Sequence, residues 1–148
     1  MKSVAEKMGI KTGMRAIVVH PPEHIDRTIG LSKVDLATRL SGYFDYVHFF
    51  AKNQADLRKN FPRLKNHLKS TGMLWISWQK KGQQGTDLSL PHVIKIGYNN
   101  GLVESKTLAV DPVWSAMKFT FPRPGKTYNN SFGKLTKTAN SPISTMVD

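Results

Sequence analysis

Between Tyr43 and Ala51 nearly every position is apolar or aromatic, with Asp45 and His48 as the polar interruptions. A short run of aromatic and β-branched residues suits a strand covered on both faces. The period then changes. Leu57, Phe61, Leu64 and Leu68 recur at the spacing of one helical face, while Arg58, Lys59, Arg63, Lys65 and Lys69 fall largely on the others. Asn53 is the expected N-cap, with Asp56 three residues on. Pro62 lies inside the pattern and predicts a kink or a fresh helix start. Thr71-Gly72 is the expected helix end, glycine supplying a left-handed C-cap. Met73 to Trp78 returns to strand. Strand, helix, strand in this order demands two parallel strands joined by a right-handed crossover.

The flanking text adds elements to this unit. Lys2 to Gly9 predicts a short helix capped by Ser3 and Glu6. Met14 to Val19 reads as a central parallel strand, because its last four residues are small or aliphatic. His20-Pro21-Pro22 stops it, and a short helix from Pro22 to Ile29 closes at Gly30. Val34, Leu36, Thr38 and Leu40 alternate with more polar neighbours, which predicts a strand over Lys33 to Leu40 near the sheet edge. Gln79 to Asp87 is polar and glycine-bearing, hence a loop. Leu88 to Asn100 predicts a helix whose apolar side holds Leu90, Val93, Ile94 and Ile96. Leu102 to Val110 and Val113 to Phe121 predict a closing antiparallel hairpin around Asp111-Pro112. Residues 123–148 hold few large apolar groups and read as a basic, disordered tail; docking through Tyr128, Phe132 and Leu135 is the rival reading. The expected organisation is one α/β domain over 1–122, three-layered and Rossmann-like. Its sheet is mostly parallel, of about six strands, with a C-terminal antiparallel hairpin strand.

Composition narrows the chemistry. The 148 residues contain no cysteine, which excludes disulfides, thiol catalysis and thiolate metal sites and fits a cytoplasmic location. No apolar run approaches the 18 or so residues of a membrane helix, and the N-terminus lacks a secretory signal core, so no membrane partner is expected. The formal net charge of +12 favours anionic partners: nucleic acid, phosphates or acidic proteins. The charge is spread along the chain rather than gathered in a run, as it would also be on a plain solvated surface. His24, His48, His67 and His92 show no metal-ligand spacing, and no metal is expected. His48, among aromatics, reads as a hydrogen-bonded core histidine.

Three local texts carry a resemblance. Phe44-Asp45-Tyr46-Val47, Leu68-Lys69-Ser70-Thr71-Gly72-Met73-Leu74-Trp75 and the closing hairpin Leu102 to Phe121 resemble the Phe-Asp-Leu-Val strand, helix-to-strand turn and last two strands of S-adenosylmethionine-dependent methyltransferases. Longer texts are similar to a bacterial family of short, uncharacterised methyltransferase-like domains. They are Ala5 to Arg15, Gly72 to Lys81 and Val110 to Phe119. The resemblance implies a shortened methyltransferase-like topology over residues 3–121. It also implies a glycine-rich turn after the first strand and an acidic residue ending the second, which together hold the cofactor. Here the first place reads His20-Pro21-Pro22-Glu23-His24 and the second Thr38-Arg39-Leu40, with Asp35 at the wrong end of its strand. No cofactor is therefore expected.

Ligands of open parallel sheets bind beyond the carboxyl ends of the strands. The residues expected there are His20, Lys52, Lys80, Lys81, Asp87 and Asp111; Trp78 and Trp114 near the basic loop could stack a base, although burial alone would account for both. Lys80 and Lys81 beside Gly82 and Gly85 could hold an anion, although the P-loop order of glycine, lysine and serine or threonine is absent. His20 and Asp111 would form an acid–base pair if they met. No catalytic residue is assigned. The expected function is a non-catalytic methyltransferase-like domain binding an anionic ligand or an acidic protein partner. The alternatives are a degenerate methyltransferase or other small enzyme at the same edge, and a nucleic-acid-binding module.

Overall fold

The computed structural model describes residues 2–80, 85–130, 133–137 and 143–146, with side chains to residue 127. Six strands form one sheet in the order β2-β1-β3-β4-β6-β5. They are β1 (Arg15–Val19), β2 (Asp35–Leu36), β3 (Phe44–Phe50), β4 (Leu68–Gln79), β5 (Val103–Ala109) and β6 (Trp114–Thr120). The first four run parallel. Strand β6 lies antiparallel between β4 and β5. This is the mostly parallel sheet with an antiparallel C-terminal strand that the hydrophobic pattern implies.

Helices cover both faces. On one, Leu57, Phe61 and Leu64 of α3 (Gln54–Lys65) and Val93 and Ile96 of α4 (Leu90–Asn99) pack with Val47, Phe49, Leu74, Ile76 and Phe119. On the other, Met8 of α1 (Val4–Met8) and Ile25 and Ile29 of α2 (Ile25–Ile29) pack with Tyr46, Phe50 and Trp75. Strand β3 feeds both cores from alternate residues, so it reads as apolar throughout. The capping signals act as expected. The Glu6 N–H donates to Ser3 Oγ at 3.2 Å while the Ser3 N–H donates to Glu6 Oε1 at 3.1 Å, and Gly9 and Gly30 take left-handed backbone. The Asp56 N–H donates to Asn53 Oδ1 at 2.8 Å.

Five expectations need correction. The predicted strand Lys33 to Leu40 shrinks to Asp35–Leu36, both exposed, because only β1 borders it. Helix α2 begins at Ile25 rather than Pro22; the turn into it is made at His24, whose φ of 61° is left-handed. Helix α3 is uninterrupted, with no fresh start at Pro62. That proline is exposed, so water can serve the carbonyl it leaves unbonded. The helix also stops at Lys65 instead of Thr71-Gly72, because the Phe44 N–H takes the His67 carbonyl at 2.8 Å and draws the chain into the sheet. Leu68, in phase with the helical face, is thus the first residue of β4. Gly72 then closes a bulge: Phe44 faces Leu68 and Tyr46 faces Met73, and a Cβ at Gly72 would lie 2.9 Å from the Phe44 carbonyl oxygen. Finally, Leu90 is 44% exposed and does not contribute to the buried side of α4.

Within residues 123–148, where a disordered tail is expected, the described backbone forms a separate antiparallel sheet. Its strands are β7 (Thr127–Asn130), β8 (Gly133–Lys137) and β9 (Ile143–Met146), with β8 alongside α4. Thr127, Tyr128, Thr136 and Ile143 favour strands. Residues 131–132, 138–142 and 147–148, Phe132 among them, lie outside the described residues.

Candidate functional site

Strand β1 has β2 on one side and β3 on the other. The connections after β1 and β3 therefore part at their carboxyl ends, the switch point where open α/β sheets bind ligands. A cleft of about 470 Å³ opens there. One wall is His20-Pro21-Pro22, following β1; the opposite side carries Lys52 and Asn53 ahead of α3, with Gln79 and Trp114 from β4 and β6. His20 has a φ of 55°, and its ring lies 5.4 Å from that of Phe49. Phe50 packs edge-on to Trp114 at 5.0 Å. Among the described residues the lining includes two groups that can carry positive charge, Lys52 and His20, and no carboxylate.

Below the cleft lies a buried polar chain. The His48 ring stacks on Phe50 at 4.4 Å. Its Nδ1 is 2.6 Å from the Tyr46 hydroxyl and its Nε2 is 2.6 Å from Ser77 Oγ. All three residues are fully buried. Burial lowers the His48 pKa to about 3, so the imidazole is neutral, and burial pushes the Tyr46 hydroxyl far up. A neutral ring has one N–H, so it donates to one hydroxyl and accepts from the other. The chain is satisfied and closed to solvent, which makes it a structural support for β3 and β4. This is the hydrogen-bonded core histidine expected from the aromatic setting.

The residues singled out in the sequence divide into two groups. His20 and Trp114 line the cleft together with Lys52. Asp111, Asp87 and Lys80 do not. Asp111 Oδ1 accepts from the Val113 and Trp114 N–H groups, each at 2.8 Å, and so shapes the β5–β6 turn. With this carboxylate committed to its own hairpin and off the lining, the His20–Asp111 pair is not assembled. Asp87 instead caps α3: its Oδ1 accepts from the Gln54 N–H at 2.8 Å, and its carbonyl accepts from Gln54 Nε2 at 2.9 Å. Lys80 is half-buried and extends the strand pairing through its N–H to Val113 O at 3.0 Å. Lys81 and Gly82 lie outside the described residues. Asn53 and Gln79 line the cleft without any sign in the sequence, since an amide at a strand or helix end has no distinctive spacing.

The nucleoside cofactor that the resemblance implies would need close backbone approach at the turn after β1, and two prolines occupy that turn. The rings of Pro21 and Pro22 border both the cleft and a second hollow of about 290 Å³, lined by Val18, Ile25 and Ala37 together with His24 and Asp26. They stand as a ridge between the two, adding bulk and removing two N–H donors where close backbone approach is needed. Past Leu36 the chain offers Ala37, Thr38 and Arg39, so the end of β2 supplies no carboxylate for ribose hydroxyls; the carboxylate on that hollow is Asp26, from α2. Asp35 pairs in register with Arg15 at the opposite end of the sheet, as expected. Among the described residues no group of three His, Asp or Glu side chains could hold a metal, and no helix is long and apolar enough to cross a membrane.

The fold matches those of solved S-adenosylmethionine-dependent methyltransferases at low identity. Ribosomal protein L11 methylase from Lactobacillus delbrueckii subsp. bulgaricus superposes with a TM-score of 0.57 at 13% identity, over 81% of this chain and 75% of that one. Magnesium protoporphyrin IX methyltransferase from Synechocystis PCC 6803, solved with bound SAH, also gives 0.57, at 9% identity over 80% and 78%. A SAM-dependent methyltransferase from Aquifex aeolicus gives 0.51 at 14% identity, over 78% and 86%. No family model and no curated protein matches the sequence. The methyltransferase-like fold implied by the three local texts is therefore established, and nothing finer.

Proposed function

We propose that this chain is a methyltransferase-fold domain without S-adenosylmethionine chemistry, and that it binds a small anionic ligand in the cleft beyond Val19 and Phe50. The observation that carries this reading is the composition of the cleft. Lys52 and His20 face it with no carboxylate among the described lining, and the Pro21-Pro22 ridge fills the turn after β1. Fold alone does not specify chemistry; the side chains of the site do. Trp114, half-buried and packed edge-on to the buried Phe50, offers an apolar wall beside the positive charge, which suits a flat ring bearing a phosphate or carboxylate.

The test is calorimetry with S-adenosylmethionine and S-adenosylhomocysteine, alongside tryptophan fluorescence with nucleoside monophosphates. The expected result is no saturable heat from either adenosyl compound up to about 1 mM, a binding free energy weaker than about −4 kcal/mol. A nucleoside monophosphate should quench fluorescence, and Lys52→Ala should weaken that response about tenfold by removing a charge-assisted contact. Micromolar binding of S-adenosylmethionine overturns the proposal.

A further inference from the structure

Helix α3 begins at the mouth of the cleft and displays Arg58, Lys59 and Arg63 on its exposed surface, with Lys52 one residue before its N-cap. These cations are not neutralised within the helix. Arg58 Nη1 donates to Gln54 Oε1 at 3.1 Å and Arg63 Nη2 donates to Asn60 Oδ1 at 3.0 Å, so both guanidinium groups are steadied by neutral amides. The helix has a single carboxylate, Asp56, and both its oxygens are engaged: Oδ2 accepts from the Lys52 N–H at 3.0 Å and Oδ1 from Asn60 Nδ2 at 3.0 Å. The nearby Asp87 is held at the helix N-terminus by Gln54. A guanidinium fixed by a neutral partner keeps its full charge and free N–H donors for an incoming oxyanion. From Arg58 to Arg63 the helix rises about 7.5 Å and turns about 140°, with Lys59 and Arg63 on one face, so the cations spread along and around the exposed side of the helix rather than meeting at a point.

We infer that α3 is a docking surface for the phosphate backbone of a single-stranded nucleic acid, which runs along Lys52, Arg58, Lys59 and Arg63 toward the cleft. Charge complementarity carries the choice of a polyphosphate: the track belongs to a chain of net charge +12 and includes no free carboxylate. The choice of a single strand rests on the cleft reading above. The half-buried Trp114 ring can stack an unpaired base, whereas the bases of a duplex are stacked on one another.

The experiment is fluorescence anisotropy of the full chain with a labelled 12-nucleotide single-stranded RNA and the matching duplex, over a range of salt. The expected result is preference for the single strand and a slope of log affinity against log salt near −3, from about −0.7 per phosphate on four cations. The variant Arg58→Glu/Lys59→Glu/Arg63→Glu should weaken binding at least tenfold and flatten the slope to about −1. Lys2→Glu/Lys11→Glu/Lys33→Glu makes the same change in net charge at exposed sites off the track, and should lose less than threefold. Arg58→Gln/Arg63→Gln covers the case in which reversal unfolds the helix, and should still weaken binding about fivefold. Equal loss in both triple variants, equal affinity for duplex, or no binding at low salt overturns the inference. Binding of mononucleotides in the cleft without oligonucleotide binding overturns the track alone and leaves the cleft reading standing; the reverse pattern, with affinity unchanged by Trp114→Ala, removes the cleft reading and the single-strand choice.

Discussion

His48→Leu is expected to destabilise the fold by about 3 kcal/mol at pH 7 and to remove most of its loss of stability between pH 7 and pH 5. The first effect follows from geometry. The imidazole satisfies the Tyr46 and Ser77 hydroxyls, both fully buried. Leucine orphans both, at about 1–3 kcal/mol each. The second effect follows from linkage. Burial lowers the folded pKa to about 3 from the ordinary 6.5. Between those values the unfolded chain binds a proton that the folded chain refuses, so stability falls as pH drops, by about 1.4 kcal/mol per pH unit. The contribution is complete above pH 6.5, and about 2 kcal/mol of it is gone by pH 5. Urea denaturation of both proteins at the two pH values measures this. Parallel pH dependence would remove His48 as its source. The triple variant Tyr46→Phe/His48→Leu/Ser77→Ala should recover much of the lost stability, because no polar group is then left without a partner.

Gly97→Ala is expected to be destabilising by about 2–3 kcal/mol, against the usual gain of about 1 kcal/mol for this change inside a helix. Gly97 lies in α4 facing β6, and a Cβ there would meet the Phe119 ring at 2.0 Å (Cε1) and 2.6 Å (Cζ). Phe119 has no free direction: it is fully buried and edge-on to Phe61 at 5.5 Å. The α4 backbone must therefore lift off the sheet. Shortening the opposing side chain should relieve the clash, so Gly97→Ala/Phe119→Leu should be less destabilised than the sum of its parts. Thermal melts of the four proteins test it, and a neutral or stabilised Gly97→Ala would show that the helix sits further from the sheet.

Some of the candidate site could be found in the chain itself. His20 and Trp114 stand at ends of apolar runs, and the ends of parallel strands meet at one edge. Asp87 and Asp111 stand at similar ends, yet each is consumed by backbone N–H groups, Asp87 at a helix N-terminus and Asp111 in a tight turn. A carboxylate beside a turn has the same appearance whether it serves a ligand or the backbone. Only the direction of its oxygens separates the two.

Residue order alone establishes the strand–helix–strand unit, the buried strands and the caps at Ser3 and Asn53, because these depend on periodicity and on hydrogen bonds spanning three or four residues. It also carries the proline turn after β1. Tertiary structure decides what depends on partners distant in sequence. The early end of α3 comes from the pull of Phe44 on His67. The closeness of Gly97 to Phe119 depends on how α4 settles on β6. The Tyr46–His48–Ser77 chain requires β3 and β4 to lie side by side in one register, and no local pattern contains that register.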